Sequence, residues 1–236
     1  MNYLQTLAPQ IARIEQASSA LGFVASCDLQ VANFCAVLVA GLGSRRVLEL
    51  GTGTGLSTLF LAQALAEDAH LVSVDIDAKC SAVAAQVINE ARVQLEVADA
   101  GAFLKDCQPN SYDFIFADAW PGKFSHLDVA LEALAPNGLY LIDDLLPQDN
   151  WPKNHQPRVE ALLAALEAMD GFALSYLNWA SGLAVVSKLD DRPIARNSPA
   201  RRLCFSVFRN HAERYLAHIC IIKRLRAWRC SSFIAR

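Results

Sequence analysis

Several signatures of familiar protein classes are missing from this 236-residue chain. No apolar run reaches the roughly 18 uncharged residues that a transmembrane helix needs. The sequence does not open with a basic segment followed by an apolar one, so we expect neither a membrane span nor a secretory signal. The seven cysteines contain no C-x-x-C pair, which argues against a zinc ribbon or a thioredoxin-type motif. Irregularly spaced thiols favour a reducing compartment, and we expect a cytoplasmic protein.

The glycine-rich segment at residues 51–55 lacks both of the common phosphate-binding patterns. A dinucleotide fingerprint needs a third glycine at its sixth position, which is Leu56 when counted from Gly51 and Thr58 when counted from Gly53. No Gly-Lys-Ser/Thr follows, so the segment is not a P-loop either. These absences disfavour a dehydrogenase and a nucleoside triphosphatase.

Charge divides the chain near Leu189. Residues 1–188 carry 10 basic against 21 acidic side chains, whereas residues 189–236 carry 11 against 3. The acidic body repels polyanions, and the D/N-P-P-Y motif of amino-directed nucleic-acid methylases is absent, so we expect no nucleic-acid partner. The basic tail is either an appendage without a role, which we favour, or a contact for nucleic acid or a membrane surface.

Strand and helix patterns alternate through the body of the chain. Strands are predicted at 47–50, 71–75, 93–97, 113–117 and 139–142, and helices at 56–65, 78–90, 101–106, 126–134 and 159–169. This rhythm predicts an α/β fold, a doubly wound and mostly parallel sheet with helices on both faces. The last two strands, Phe172–Leu177 and Leu183–Ser187, have no helix between them and therefore form a hairpin with one antiparallel strand.

Three regions follow from these patterns. Residues 1–45 are predicted to form two helices that cap the core, residues 46–188 the core itself, and residues 189–236 the tail. The N-terminal helices offer a surface on which two subunits could pair, but the sequence does not decide between a monomer and a homodimer.

The loop after the first core strand reads E-x-G-x-G-x-G and begins at Glu49. Glycines permit a tight turn and a close approach by a ligand, at the edge where open α/β sheets bind theirs. S-adenosylmethionine carries an ammonium, a carboxylate and a sulfonium but no phosphate, and an acid suits its cationic end. We therefore predict that this loop binds S-adenosylmethionine. The predicted contacts are Glu49, Gly51, Thr52, Gly53, Gly55 and Ser57.

Two further acids follow the second and third strands. Asp75 is placed to accept both hydroxyls of an adenosine ribose, because Asp77 is better placed to cap the next helix. Asp99 is a candidate acceptor for the adenine amino group, with helix capping as the alternative. The neighbouring Ile76 and Ala100 complete the predicted cofactor site.

At this point the chain resembles a known family. VLELGTGTG, VSVDID, VADA and YDFIFADA occur in the order and spacing of class I S-adenosylmethionine-dependent methyltransferases. Over about residues 25–188 the chain most resembles the bacterial catechol O-methyltransferase-like group. The resemblance implies a Rossmann-like, seven-stranded sheet with a terminal antiparallel hairpin. It also implies methyl transfer to a hydroxyl oxygen of a small molecule.

Three acids, Asp118, Asp143 and Asp144, follow the fourth and fifth predicted strands. Together they could hold a hard divalent cation such as Mg²⁺, which would lower the pKa of a bound hydroxyl. The resembled family uses two Asp and one Asn, so Asp144 departs from it by one negative charge. Alternatively, Asp118 caps the next segment and Asp143 binds the 150–151 region. The sequence does not decide whether a metal is required.

Lys123 and His126 are the candidate bases beside Asp118. The family's lysine stands three residues after the aspartate, whereas Lys123 stands five after it, behind a Pro-Gly turn. The pKa of a histidine lies near the working range, although His126 could equally be a solvated residue at the start of a helix. Nearby loops carry three rings that suit a flat or apolar acceptor or simply pack as a lid: Trp120, Trp151 and His155.

Two other functions stay open at this stage. An aminopropyltransferase has a similar nucleotide-binding sheet, but it needs a more acidic glycine loop and an acidic polyamine groove. A non-catalytic homologue would bind the cofactor without turnover. The identity of the acceptor cannot be read from the sequence.

Overall fold

The computed structural model describes residues 3–190. Its elements are α1 (Tyr3–Leu21), α2 (Leu29–Leu42), β1 (Arg46–Leu50), α3 (Leu56–Ala64), β2 (His70–Asp75), α4 (Ala78–Val87), β3 (Val93–Val97), α5 (Ala100–Asp106), β4 (Tyr112–Ala117), α6 (Leu127–Ala133), β5 (Leu134–Ile142), α7 (His155–Ala168), β6 (Phe172–Leu177) and β7 (Leu183–Lys188). The predicted basic tail lies outside the described residues except for 189 and 190. Within residues 3–190 no helix has the length and hydropathy needed to span a bilayer.

All seven strands belong to one sheet, in the order β3-β2-β1-β4-β5-β7-β6. Strand β7 is antiparallel to both of its neighbours, β5 and β6, and the other pairs are parallel. The predicted mostly parallel sheet with a terminal hairpin is thus confirmed. The order reverses between β1 and β4, because the chain first builds outward to β3 and then returns. A crevice at such a reversal is the usual ligand site of an open α/β sheet.

Helices cover both faces of the central strands. Leu48 and Ile115 are completely buried on one face, in a core shared with side chains of α5, α6 and α7. Val47 and Phe114 are completely buried on the other face, against α2 and α3. Burying two apolar faces fixes the register of β1 and β4, since a one-residue slip would exchange the two sets.

The start of β5 differs from the prediction. The sequence predicted a helix stop at residues 136–138 and a strand from Leu139, but the strand begins at Leu134. Tyr112 pairs with Leu134, the register then shifts, and Phe114 pairs with Leu139. The intervening residues form an irregularity in which Asn137 has a φ of 63°. Proline, asparagine and glycine serve bulges as well as helix ends, so the sequence pattern alone misplaced this boundary.

Two helix boundaries also differ. Helix α7 begins at His155 rather than Val159, since Pro157 falls in the first turn, where a missing amide proton costs nothing. Helix α4 ends at Val87 rather than Glu90. Asp28 caps α2, because its carboxylate accepts from the amide of Gln30 at 2.7 Å.

Candidate functional site

Two cavities open at the carboxyl ends of the parallel strands. The smaller, about 170 Å³, is lined by the glycine loop, Phe23 and Asp75, and we call it the glycine-loop cavity. The larger, about 520 Å³, contains Asp143 and Asp144 in its wall, and we call it the acidic cavity. The two share a wall made by Ala25, Ser26, Cys27 and Asp118. The strand order brings them together, because β1 leads into one and β4 into both.

The glycine loop lies against the end of β4. Gly51 has a φ of 105°, and a Cβ atom there would lie 3.1 Å from the carbonyl carbon and oxygen of Asp118. A side chain at this position would therefore be strained and would also displace the backbone that carries Asp118. Because Gly51 has no side chain, the glycine loop stays in contact with the loop after β4, and the glycine-loop cavity stays open beside them.

Glu49 lies beneath this loop at the end of β1 and is completely buried. Its Oε2 accepts from Thr58 Oγ1 and Ser73 Oγ, both at 2.5 Å, whereas Oε1 has no partner. Burial raises the pKa of Glu49 to about 7, although the neighbouring hydroxyl groups of Ser57, Ser73 and Thr58 oppose the rise. A buried carboxylate oxygen without a donor is costly, and an approaching ammonium would relieve it. Glu49 itself lines neither cavity, so its contact with the cationic end of S-adenosylmethionine stays a prediction.

Asp75 and Asp77, the two acids at the end of β2, have different roles. Asp77 caps α4 by accepting from the amides of Lys79 and Cys80, at 2.8 and 3.2 Å. Asp75 lines the glycine-loop cavity and accepts from the amides of Gly53 and Asp77, at 2.7 and 2.8 Å. Each oxygen of Asp75 keeps a lone pair that could receive a ribose hydroxyl. Ile76 beside it is 72% exposed and lines neither cavity.

The acid after β3 serves as a helix cap. Asp99 accepts from the amide of Ala102 at 2.8 Å, which is the alternative that the sequence left open for it. The ring of His126 packs on the same helix, because a Cβ atom on Gly101 would lie 2.8 Å from His126 Nδ1. Neither Asp99 nor His126 lines either cavity. The structure therefore does not bring His126 to the acids of the predicted reaction centre.

The acidic cavity contains a buried lysine among its carboxylates. Lys123 is only 2% exposed, and its Nζ donates to the carbonyl oxygen of Asp143 at 3.0 Å. It also lies 3.9 Å from Oδ2 of Asp144. Burial raises the pKa of Asp143 to about 6 and that of Asp118 well above its ordinary value, and repulsion between the carboxylates adds to both shifts. The charge of Lys123 opposes these rises.

The Pro-Gly turn before Lys123 places this lysine beside the acids. Gly122 adopts a φ of 87°, and its carbonyl accepts from the hydroxyl of the completely buried Tyr140 at 2.5 Å. The unusual spacing thus still places the lysine beside Asp143 and Asp144.

The predicted metal ligands come together only in part. Within the described residues, the ligand atoms that lie within 4.8 Å of one another belong to Cys27, Asp118 and Asp143. Asp144 instead accepts from the side-chain amide of Gln148 and faces Lys123. A cation bound by all three acids stays a prediction, and Asp144 does not belong to this group of close ligand atoms. Sequence reasoning missed Cys27 because it lies in a loop before the core, where no strand end marks it.

Aromatic side chains form one wall of the acidic cavity. His155 stacks on Trp151 with ring centroids 4.0 Å apart, and Phe124 meets its edge at 5.0 Å. The guanidinium of Arg158 lies over Trp120, 4.6 Å from the ring centroid. Burial lowers the pKa of His155. The predicted rings therefore gather at this cavity and also pack on one another.

The comparisons with known proteins decide the family, because the O-methyltransferase family model matches residues 13–170, more than half of the chain. The chain belongs to the O-methyltransferase family. A Dictyostelium discoideum relative named "Probable caffeoyl-CoA O-methyltransferase 2" is 25% identical over 174 residues, which are 67% of this chain and 75% of that protein. This membership confirms the prediction of an S-adenosylmethionine-dependent O-methyltransferase, and it does not favour the aminopropyltransferase.

Solved structures share the fold of this O-methyltransferase. The enzyme TomG from Streptomyces achromogenes, crystallised with S-adenosylmethionine, has a TM-score of 0.67 at 20% identity and covers 77% of this chain and 90% of its own. An O-methyltransferase from Bacillus cereus, in complex with S-adenosylhomocysteine, has a TM-score of 0.65 at 22% identity and covers 76% and 90%. At these identities the likeness concerns the fold.

Proposed function

We propose that this O-methyltransferase binds S-adenosylmethionine in the glycine-loop cavity and a small hydroxylated acceptor in the acidic cavity. One observation carries the proposal, namely the wall that the two cavities share at Cys27 and Asp118. A methyl donor in one cavity and an oxygen in the other would face each other across that wall. Holding both reactants in line removes much of the entropic part of the barrier.

Separate residues hold separate parts of the cofactor. The orphaned oxygen of Glu49 accepts from the ammonium, and Asp75 accepts from the ribose hydroxyls. Contacts of Ile76, Asp99 and Ala100 with the adenine base stay predictions, because none of the three lines the cavity. The glycine loop supplies the floor through Gly51, Thr52, Gly53, Gly55 and Ser57, of which all but Gly55 line the cavity.

Asp118 and Lys123 act on the acceptor. The bound cofactor supplies a sulfonium methyl group for an in-line displacement by oxygen. Asp118 accepts a hydrogen bond and then the proton from the acceptor hydroxyl, and so aims the oxygen at the shared wall. The ammonium of Lys123, held in place by Asp143, stabilises the negative charge that develops on that oxygen. His126 stays a prediction that its position does not support.

Calorimetric titration with S-adenosylhomocysteine tests the cofactor site. The wild-type chain should bind in the micromolar range, and Asp75→Ala should weaken binding at least tenfold, because two hydroxyl acceptors are lost. Asp106→Ala, which removes an exposed acid at the end of α5, is the matched control and should bind like wild type. Absence of binding by folded wild-type protein, or wild-type affinity in Asp75→Ala, would refute the assignment.

A panel of catechols, phenols and alcohols, assayed by S-adenosylhomocysteine release, tests the reaction. With an accepted substrate, Lys123→Met should lower kcat by about 10²- to 10³-fold and leave cofactor affinity nearly unchanged. Lys105→Met removes an exposed lysine of α5 and should have no effect. Full activity in Lys123→Met would exclude the role proposed for this side chain.

A further inference from the structure

The last turn of helix α1 contacts the glycine loop through Ser18, which is 5% exposed. Its hydroxyl donates to the carbonyl oxygen of Ile14 at 2.8 Å and lies 2.7 Å from Oγ1 of Thr54. A serine hydroxyl has one proton, so Thr54 is the donor in the second bond. Thr54 is 1% exposed and belongs to the lining of the glycine-loop cavity. A hydrogen bond between two buried hydroxyls therefore joins the N-terminal helix to the loop that is predicted to hold the cofactor.

The backbone of Ser18 holds a second part of the cavity wall. Its carbonyl oxygen accepts from the amide of Phe23 at 2.9 Å. Phe23 lines the cavity, and its ring lies over Gly53, since a Cβ atom on Gly53 would be 3.0 Å from Cζ of the ring. Ser18 thus holds both the glycine loop and the ring that lies on it. Apolar packing fixes the helix that carries Ser18, because Leu7 and Ile14 are buried in a cluster with side chains of α3.

The neighbours of Thr54 explain why the loop needs this anchor. Gly53 and Gly55, on either side of it, have φ angles of 51° and 96°. Glycine loses more conformational freedom on ordering than any other residue, so this part of the loop is costly to order. Where only a fraction of the protein has the binding conformation, the affinity for a ligand falls in proportion to that fraction. The hydrogen bond to Ser18 favours one conformation of the loop before the cofactor binds.

We propose that Ser18 and Thr54 are positioning residues, which hold the glycine loop in the conformation that binds S-adenosylmethionine. This inference rests on the proposed cofactor site in the glycine-loop cavity. Helix α1 is then a part of the cofactor site as well as a cap on the core. Loss of the hydrogen bond should weaken cofactor binding and leave kcat unchanged, because the loop with cofactor bound reaches the same conformation in either case.

Calorimetric titration of the full chain with S-adenosylhomocysteine tests this pair. Thr54→Val keeps the shape of the side chain but removes its hydroxyl, and it should weaken binding about five- to tenfold, as Ser18→Ala should. Thr54→Ser keeps the hydroxyl and should bind within about twofold of the wild-type affinity. The double variant Ser18→Ala/Thr54→Val should bind no more weakly than the weaker single variant, because both changes break the same bond.

Ser81→Ala is the matched control. Ser81 is 4% exposed in α4, and its hydroxyl donates to the carbonyl oxygen four residues earlier at 3.0 Å, as that of Ser18 does. Both serine variants should lose comparable stability in urea, but only Ser18→Ala should lose cofactor affinity. With an accepted substrate, Thr54→Val should raise the KM for S-adenosylmethionine by the factor measured for binding and should keep kcat. A general loss of stability does not produce that split.

The outcomes separate this inference from the proposed function. Wild-type affinity in folded Thr54→Val, or an equal loss in Thr54→Ser, overturns the inference, while weak binding by Asp75→Ala still supports the cofactor site. Additive losses in the double variant also overturn it, because the two residues would then act separately. Absence of binding by the wild-type chain refutes the proposed cofactor site and this inference with it. If circular dichroism shows that Ser18→Ala fails to fold, the comparison of Thr54→Val with Thr54→Ser decides.

Discussion

Glu49 combines complete burial with a half-satisfied carboxyl group. Hydroxyl groups donate to one oxygen, and the other has no donor. Its pKa of about 7, above the ordinary 4.5, means that the folded chain holds this proton more tightly than the unfolded chain. The contribution of Glu49 to stability is therefore complete below pH 4.5 and is lost as the pH rises through 7.

Cofactor binding should accordingly release a proton from Glu49. An ammonium placed beside the orphaned oxygen lowers the pKa, so that at pH 6 about one proton leaves on binding of S-adenosylhomocysteine. Calorimetry in buffers of different ionisation enthalpy measures that number. The variant Glu49→Gln has no proton to lose at this position and serves as the control. Equal proton release by both proteins would place the ammonium elsewhere.

Single residues were predictable where their chemistry is local. Asp77 followed a strand and preceded a helix, which is enough to identify a cap, and its assignment left Asp75 free for the cavity. Cys27 had no such signal, because its partners stand 91 and 116 positions further along the chain. Lys123 reached the acids through a turn whose geometry depends on Tyr140, a contact that no spacing rule contains.

Strand β5 pairs with β4 in an irregular register. The register shift between Tyr112 and Phe114 leaves room for residues 135–138 to fold out of the ladder. Gly138 lies where a Cβ atom would be 2.8 Å from the carbonyl oxygen of Ala135 and 3.0 Å from that of Asp113. Both neighbours are backbone atoms of the sheet, which cannot move away as a flexible side chain could.

Gly138→Ala should therefore lower the free energy of unfolding by about 1–3 kcal/mol, in line with other overpacked sites. The matched control is Gly41→Ala in α2, where no atom lies within 4 Å of the added methyl group. That change should be neutral or raise the free energy by up to about 1 kcal/mol, because alanine favours a helix. Urea unfolding measures both. A neutral Gly138→Ala would mean that the β4–β5 join is not tightly packed.

Elements with a single consistent signal were predicted well, and composite ones were not. Strand β3 lies where the apolar alternation placed it. The segment from Leu134 to Ile142 carries a proline, an asparagine and a glycine, which suggest a helix end followed by a turn. Pairing with β4 overrides that local preference, and a pairing partner is not visible in the segment itself.

At the scale of the whole molecule, the N-terminal segment between α1 and α2 takes part in both cavities. Residues 25–27 line each of them, and Phe23 closes the glycine-loop cavity. The ring of Phe23 comes within 3.0 Å of the position that a Cβ atom on Gly53 would occupy. A segment that precedes the sheet in sequence therefore supplies part of the lining of both cavities.

Hydrogen exchange with and without S-adenosylhomocysteine should detect this segment. Bound ligand is expected to slow amide exchange in residues 22–28 as well as in residues 51–57, because both line the same cavity. Strand β6, at the far edge of the sheet, should exchange at an unchanged rate. Protection confined to residues 51–57 would show that the N-terminal segment does not enclose the ligand.

The contact between Gly51 and Asp118 has a consequence for how such an enzyme diversifies. The two residues directly follow the neighbouring central strands β1 and β4, whose pairing brings them together. The rings of Trp120, Trp151 and His155 stand on loops and a helix start outside that frame. Under the proposed function, changes in these outer residues would alter which acceptor binds, while the sheet would keep the separation between the two cavities.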